Sequence, residues 1–137
     1  MSAEGKRVLI VDDSAAVRRN VLWILEPTGL EVVEAADGKQ ALELLENETI
    51  DLVIADLNMP VMDGLQLIRK VRAHPKMKQL PVIMMTTETR PQDQAAAHEA
   101  GADMYLAKPS SPDVIRYKVL SLLGLRDPRT GGQGSAP

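Results

Sequence analysis

Asp12, Asp13, Asp56, Thr86 and Lys108 are side chains able to do chemistry on an anion, and each stands where a short apolar run ends. Val8-Leu9-Ile10-Val11 leads into Asp12-Asp13, Leu52-Val53-Ile54-Ala55 into Asp56, Leu80-Pro81-Val82-Ile83-Met84-Met85 into Thr86, and Met104-Tyr105-Leu106-Ala107 into Lys108. A short apolar run bounded by turn signals reads as a strand buried on both faces. An ionised Asp56 at the end of such a strand is costly unless something compensates for it. Three carboxylates brought together raise one another's pKa unless a cation joins them. Oxygen ligands without His or Cys favour Mg2+, or Mn2+, over zinc. Lys108 contributes a fixed positive charge. The set therefore describes a metal-assisted anion site, with phosphate the obvious anion: the ion bridges its oxygens, Lys108 pairs with another, and the Thr86 hydroxyl donates to a third. Asp56, on the central strand, is the expected nucleophile, forming an acyl phosphate.

Positioning these residues requires parallel strands that end together. Between the apolar runs the periodicity is helical. Ser14 caps a helix with Val17, Val21, Ile24 and Leu25 on one face, stopped by Pro27 and Gly29. Leu30 to Ala35 reads as a less buried edge strand. Asp37 and Gln40 form a capping-box pattern before Ala41, Leu42 and Leu45. Asp63 and Gln66 repeat it before Leu65, Ile68 and Val71, ending at His74-Pro75. Pro91 opens a helix whose apolar content is mostly Ala (Ala95, Ala96, Ala97, Ala100), which buries little and is loosely held. Ser111-Pro112 opens the last, with Ile115, Val119, Leu122 and Leu123 inward. The expected class is α/β: a five-stranded parallel sheet with right-handed crossovers, flanked on both faces by five helices. In such sheets the working site lies beyond the carboxyl ends of the strands.

Composition narrows the function. A length of 137 residues fits one domain, here residues 6–124, with 125–137 read as a disordered tail or truncated linker. The chain has no Cys, so disulfides and thiolate metal sites are excluded. No apolar run reaches the length of a membrane span or of a signal-peptide core, so the expectation is a soluble cytoplasmic protein. A net charge of −3 and a near absence of aromatics argue against direct nucleic-acid binding. His74 and His98 read as solvated surface, as do the helix faces carrying Arg18-Arg19 and Arg69-Lys70. Trp23 reads as part-buried packing, Met84 and Met85 as strand core, and Met59 and Met62 as shaping the loop beside the site.

The residues Val11-Asp12-Asp13-Ser14, Asp56-Leu57-Asn58-Met59-Pro60, Met62-Asp63-Gly64, Thr86, Tyr105 and Lys108-Pro109 resemble the receiver domain of bacterial two-component response regulators. The likeness is greatest to stand-alone chemotaxis-type receivers and covers about residues 6 to 124. It implies the flavodoxin-like strand order 2-1-3-4-5, the arrangement for which CheY is a standard example. It implies that Asp56 takes a phosphoryl group from a phosphohistidine on a sensor histidine kinase. Asp13, Asp56 and the backbone carbonyl of Asn58 would bind Mg2+ directly and Asp12 through water, while Lys108 and Thr86 hold the phosphoryl oxygens. Tyr105 would be a rotameric switch coupled to Thr86. The face made by the fourth helix, fifth strand and fifth helix would change its affinity for a downstream protein. The implied protein is a phosphoacceptor with self-phosphorylation and self-dephosphorylation chemistry rather than an enzyme, and a monomer for which dimerisation on phosphorylation stays open.

Two positions depart from the usual pattern. Thr87 follows Thr86 where a smaller residue is usual, which tightens phosphoryl access. Ser110 follows Lys108-Pro109 where many receivers carry Phe, which changes packing beneath the last loop. Other readings fit less well. A haloacid-dehalogenase-type phosphatase needs an acid at position 58, where Asn58 stands. A flavin binder needs a phosphate loop after the first strand and aromatics over the ring. A receiver that signals without phosphate would not need the full acid set. A DNA-binding regulator is not expected of this polypeptide, since no output domain follows residue 124, but that reading stays open for a longer parent if the Gly-rich tail is a cut linker.

Overall fold

The computed structural model describes residues 4–88 and 90–125. Five strands, β1 (Arg7–Val11), β2 (Glu31–Ala35), β3 (Leu52–Ala55), β4 (Val82–Thr86) and β5 (Met104–Ala107), pair in parallel in the order β2-β1-β3-β4-β5. The helices are α1 (Ala15–Leu25), α2 (Gly38–Asn47), α3 (Gly64–Ala73), α4 (Pro91–Ala100) and α5 (Pro112–Leu122). A parallel neighbour can be reached only by crossing over the sheet, so each helix covers one face. Alternation within the strands then builds two cores. Leu9, Val11, Val53, Ala55, Val82 and Met84 meet buried residues of α2, α3 and α4. Val8, Ile10, Leu52, Ile54, Ile83 and Met85 meet α1 and α5. The fold class and strand order are those expected.

The helix starts follow local chemistry. The Ser14, Asp37, Asp63 and Ser111 side chains each accept a backbone N–H in the first turn of their helix. At α3 the capping box is complete, with Gln66 accepting the Asp63 N–H at 3.1 Å. At α2 it is not: Gln40 reaches past the cap and accepts from the Ala36 N–H instead, at 2.8 Å. Gly29 and Gly101 end α1's trailing 3-10 turn and α4 in the left-handed conformation, which costs glycine least.

Several readings need correction. β2 begins at Glu31 and β4 at Val82, one and two residues after the expected Leu30 and Leu80. Leu67 of α3 and Leu120 of α5 are core residues that the expected faces omitted, while Leu65, Leu122 and Leu123 are only half-buried. Trp23 is 73% exposed, not packed. Arg18 is not simply solvated: its guanidinium donates to the Asp12 carbonyl at 2.5 Å and pairs with Glu34 at 3.0 Å. Leu125, assigned to the tail, is buried against the α1–α5 core, and the rest of that segment lies outside the described residues.

Candidate functional site

The sheet register sets the site. The Asp12 N–H donates to the Ala35 carbonyl at 3.1 Å and the Asp56 N–H to the Val11 carbonyl at 3.0 Å, so both residues continue the ladder one step past their strands. That step places two carboxylates side by side at the carboxyl edge, and Asp13 follows on the same loop. One carboxylate oxygen from each of Asp12, Asp13 and Asp56 lies within 4.8 Å of the others. Asp12 is 1% exposed and Asp56 8%, while Asp13 faces solvent. The Asp12 Oδ1 accepts the Ser14 N–H at 2.9 Å, which turns the chain into α1 and fixes the carboxylate.

Lys108 enters from the far side. Its own N–H donates to the Thr86 carbonyl at 2.8 Å, and its Nζ reaches Asp12 Oδ2 at 2.6 Å and Asp56 Oδ2 at 3.3 Å. The peptide bond to Pro109 is cis. Burial raises the Asp56 pKa above the ordinary carboxylate value, the Lys108 charge pulls it down, and the Asp12 charge pushes it up again. Asp56 thus remains a carboxyl for which a further cation is favourable. The donors fit a hard divalent ion: all are oxygens, two are nearly buried, and the third opens to water.

The remaining expected residues surround this cluster. Thr86 is fully buried at the end of β4, and its hydroxyl accepts the Glu88 N–H at 3.2 Å. Asn58 donates through its side-chain amide to Glu88 Oε1 at 3.2 Å, and its N–H to Asp56 Oδ1 at 3.4 Å. The Tyr105 hydroxyl donates to the Glu88 carbonyl. Glu88 therefore ties together Asn58, Thr86 and Tyr105. Its central position depends on the course of the β4–α4 loop. Gly64 entered the sequence reading only within the stretch Met62-Asp63-Gly64. A Cβ there would stand 2.3 Å from the Asp56 carbonyl oxygen, so the start of α3 closes directly onto the Asp56 backbone. Of the two departures, Thr87 is exposed, and the Ser110 hydroxyl donates to the Ala107 carbonyl.

A strand-end acid cluster with an opposed lysine, on a doubly wound sheet of this order, defines a receiver. The comparisons agree. The model of the response regulator receiver domain matches residues 8–120, and the chain belongs to that family. It is 41% identical over 133 residues to a chemotaxis protein CheY homolog of Campylobacter jejuni, covering 95% of this chain and 98% of that one. Among solved structures it resembles the chemotaxis protein CheY4 of Vibrio cholerae, with a TM-score of 0.81 and 37% identity over 85% of this chain and 98% of that one. A putative response regulator from Chloroflexus aurantiacus gives a TM-score of 0.84 and 38% identity over 87% of this chain and 98% of that one. The chain is thus a CheY-like receiver of the two-component type. Among the described residues no helix is long and apolar enough to cross a membrane.

Proposed function

We propose that Asp56 is the phosphoacceptor of a two-component relay. An ionised Asp56 oxygen attacks the phosphorus of a phosphohistidine on a histidine kinase. The new P–O bond forms as the P–N bond breaks, and the departing imidazole nitrogen keeps the electron pair and takes up a proton. Asp12, Asp13, Asp56 and the Asn58 backbone carbonyl would hold Mg2+, which supplies neutralising charge to the transferring phosphoryl group when bound. Lys108 holds a phosphoryl oxygen, and Thr86 gives up its bond to the Glu88 N–H to donate to another. The observation that carries the reading is the convergence of three carboxylates within 4.8 Å, two of them touched by Lys108.

The phosphoryl group ends on the protein's own side chain and leaves to water, so the chain acts as a switch rather than as an enzyme on a separate substrate. Its output follows from Glu88. When Thr86 turns toward the phosphoryl group, the β4–α4 loop loses an anchor, and Tyr105, held by the Glu88 carbonyl, is released to turn inward. The face formed by α4, β5 and α5 then presents a different surface to a downstream protein. α4 suits this role because its buried residues, Ala97 and Ala100, lie near its C-terminal end, leaving its start weakly held. The chain works in the cytoplasm as a monomer, with dimerisation on phosphorylation left open, and its likeness to chemotaxis proteins supports an output in chemotaxis-type signalling.

The test is incubation with acetyl phosphate, with Mg2+ or with a chelator, read by intact mass. One added phosphoryl mass should depend on Mg2+ and be absent from Asp56→Asn. Equal labelling of wild type and Asp56→Asn would refute Asp56 as acceptor.

A further inference from the structure

Asp13 is the least constrained member of the acid cluster. Asp12 has both carboxylate oxygens engaged, Oδ1 by the Ser14 N–H at 2.9 Å and Oδ2 by the Lys108 ammonium at 2.6 Å. Asp56 is nearly buried and lies 3.3 Å from the same ammonium. Asp13 faces solvent, and no described residue donates a hydrogen bond to its carboxylate. One of its oxygens nevertheless stands within 4.8 Å of an oxygen of each of the other two acids. Its place is therefore set by its backbone.

Arg18 grips the backbone at that point. Its Nη1 donates to the Asp12 carbonyl at 2.5 Å. That carbonyl shares a peptide plane with the Asp13 nitrogen and Cα, so holding it fixes where the Asp13 side chain starts. Helix side chains tilt towards the N-terminus, and Arg18 stands one turn after Ser14, whose carbonyl accepts its N–H at 3.1 Å. The guanidinium thus reaches back over the first turn of α1 to the loop. Its Nε donates to Glu34 Oε1, on the edge strand β2, at 3.0 Å. The Arg18 side chain is only 16% exposed, and it ties the β1–α1 loop to β2. A positive charge near a helix N-terminus is unfavourable, and beside a cation site it would also repel the ion. Glu34 offsets both effects, so the pair supplies geometry without net charge.

We propose that Arg18, held by Glu34, is a positioning residue that sets Asp13 for the divalent ion; the proposal rests on the reading of the acid cluster as a Mg2+ site. An arginine suits the task because two of its nitrogens meet two acceptors in a fixed fork, whereas a lysine ammonium is a single point on a flexible stem. Asp12 and Asp56 keep their own anchors without Arg18, so its loss falls on Asp13. The charges make the sign informative. Arg18→Met removes a cation that touches the Asp12 backbone and leaves Glu34 unpaired, which by charge alone would tighten Mg2+ binding. Misplacing Asp13 loosens it instead.

The test is calorimetric titration of the full chain with Mg2+, with melting in chelator to show that each variant is folded. Arg18→Met should bind Mg2+ about tenfold more weakly than wild type, as when a ligand's hydrogen-bonded support is removed. Arg18→Met combined with Glu34→Gln removes the pair without changing net charge and should be weakened as much. Arg18→Lys should restore only part of the affinity. In amide 1H–15N spectra of the ion-free protein, Arg18→Met should move the Asp13 signal more than that of Asp56. Wild-type affinity in the charge-neutral double variant, tighter binding by Arg18→Met, full rescue by Arg18→Lys, or an unmoved Asp13 signal would overturn the positioning role and leave the Mg2+ site standing. A wild type that shows no saturable Mg2+ binding would overturn the Mg2+ reading itself, and this role with it.

Discussion

Lys108 and Asp12 form an ion pair across the carboxyl edge of the sheet, with Nζ 2.6 Å from Oδ2, although the two residues stand on loops that follow different strands. The same ammonium lies 3.3 Å from Asp56. Lys108 is thus the cation that makes the acid cluster tolerable before any ion binds.

Removing that cation should expose the repulsion it masks. Lys108→Ala is expected to destabilise the metal-free protein by about 1–3 kcal/mol, less than for a fully buried pair because the side chain retains some solvent. Mg2+ should then stabilise the variant more than it stabilises wild type. Urea denaturation with and without Mg2+ measures both quantities. An equal Mg2+ increment in the two proteins would show that the lysine and the ion do not share the cluster.

Asp56 carries a sign that can be checked against pH. Burial raises its carboxyl pKa in the folded state above the ordinary 3.8. The folded protein therefore holds its proton more tightly than the unfolded chain, and the contribution of Asp56 to stability falls as pH rises from 3.8 through the native value. In chelator at neutral pH, Asp56→Asn should melt at a higher temperature than wild type. The difference should shrink towards pH 4, where the wild-type carboxyl takes up its proton. A melting difference independent of pH would contradict this.

Gly64→Ala tests how tightly α3 closes on the acceptor. The added methyl would meet the Asp56 carbonyl oxygen at 2.3 Å, a backbone atom with no room to yield. A loss of about 2 kcal/mol or more is expected, with slower labelling by acetyl phosphate. A stable variant labelled at the wild-type rate would show that the contact is slack.

Glu88 and Asn58 meet at 3.2 Å beside the acceptor, and both are polar and non-aromatic. They do not exclude an attacking water, so the acyl phosphate should be short-lived. Replacing both by Leu should lengthen its half-life about tenfold, a barrier change of about 1.4 kcal/mol. Loss of the phosphoryl mass with time gives the rate. A wild-type half-life of many hours would count against open water access.

The strand-end residues were legible in the sequence because one rule governs them all: a buried parallel strand exposes chemistry only where it stops. Asp12, Asp13, Asp56, Thr86 and Lys108 needed no knowledge of packing to be grouped. Helix faces were less legible, because the pairing of helices decides which side chains disappear. Arg116 is buried although it is charged, since α5 lies against α1: its guanidinium pairs with Asp113 and donates to the Ile24 carbonyl, one of the orphan acceptors in the last turn of α1. Trp23, on the same α1, stays in solvent because no element among the described residues crosses that face. The Glu88 junction was hidden for a different reason. Its three partners come from three separate places, Asn58 from the loop after β3, Thr86 from the end of β4 and Tyr105 from within β5, and only the loop path brings them to one residue.

The acceptor itself can be read directly. The protein is labelled with acetyl phosphate and Mg2+, reduced with borohydride, which converts an aspartyl phosphate to homoserine, and digested for peptide mass mapping. Homoserine at position 56 and nowhere else is the predicted result. Homoserine at another acid, or none in a sample that had gained the phosphoryl mass, would contradict the assignment of Asp56.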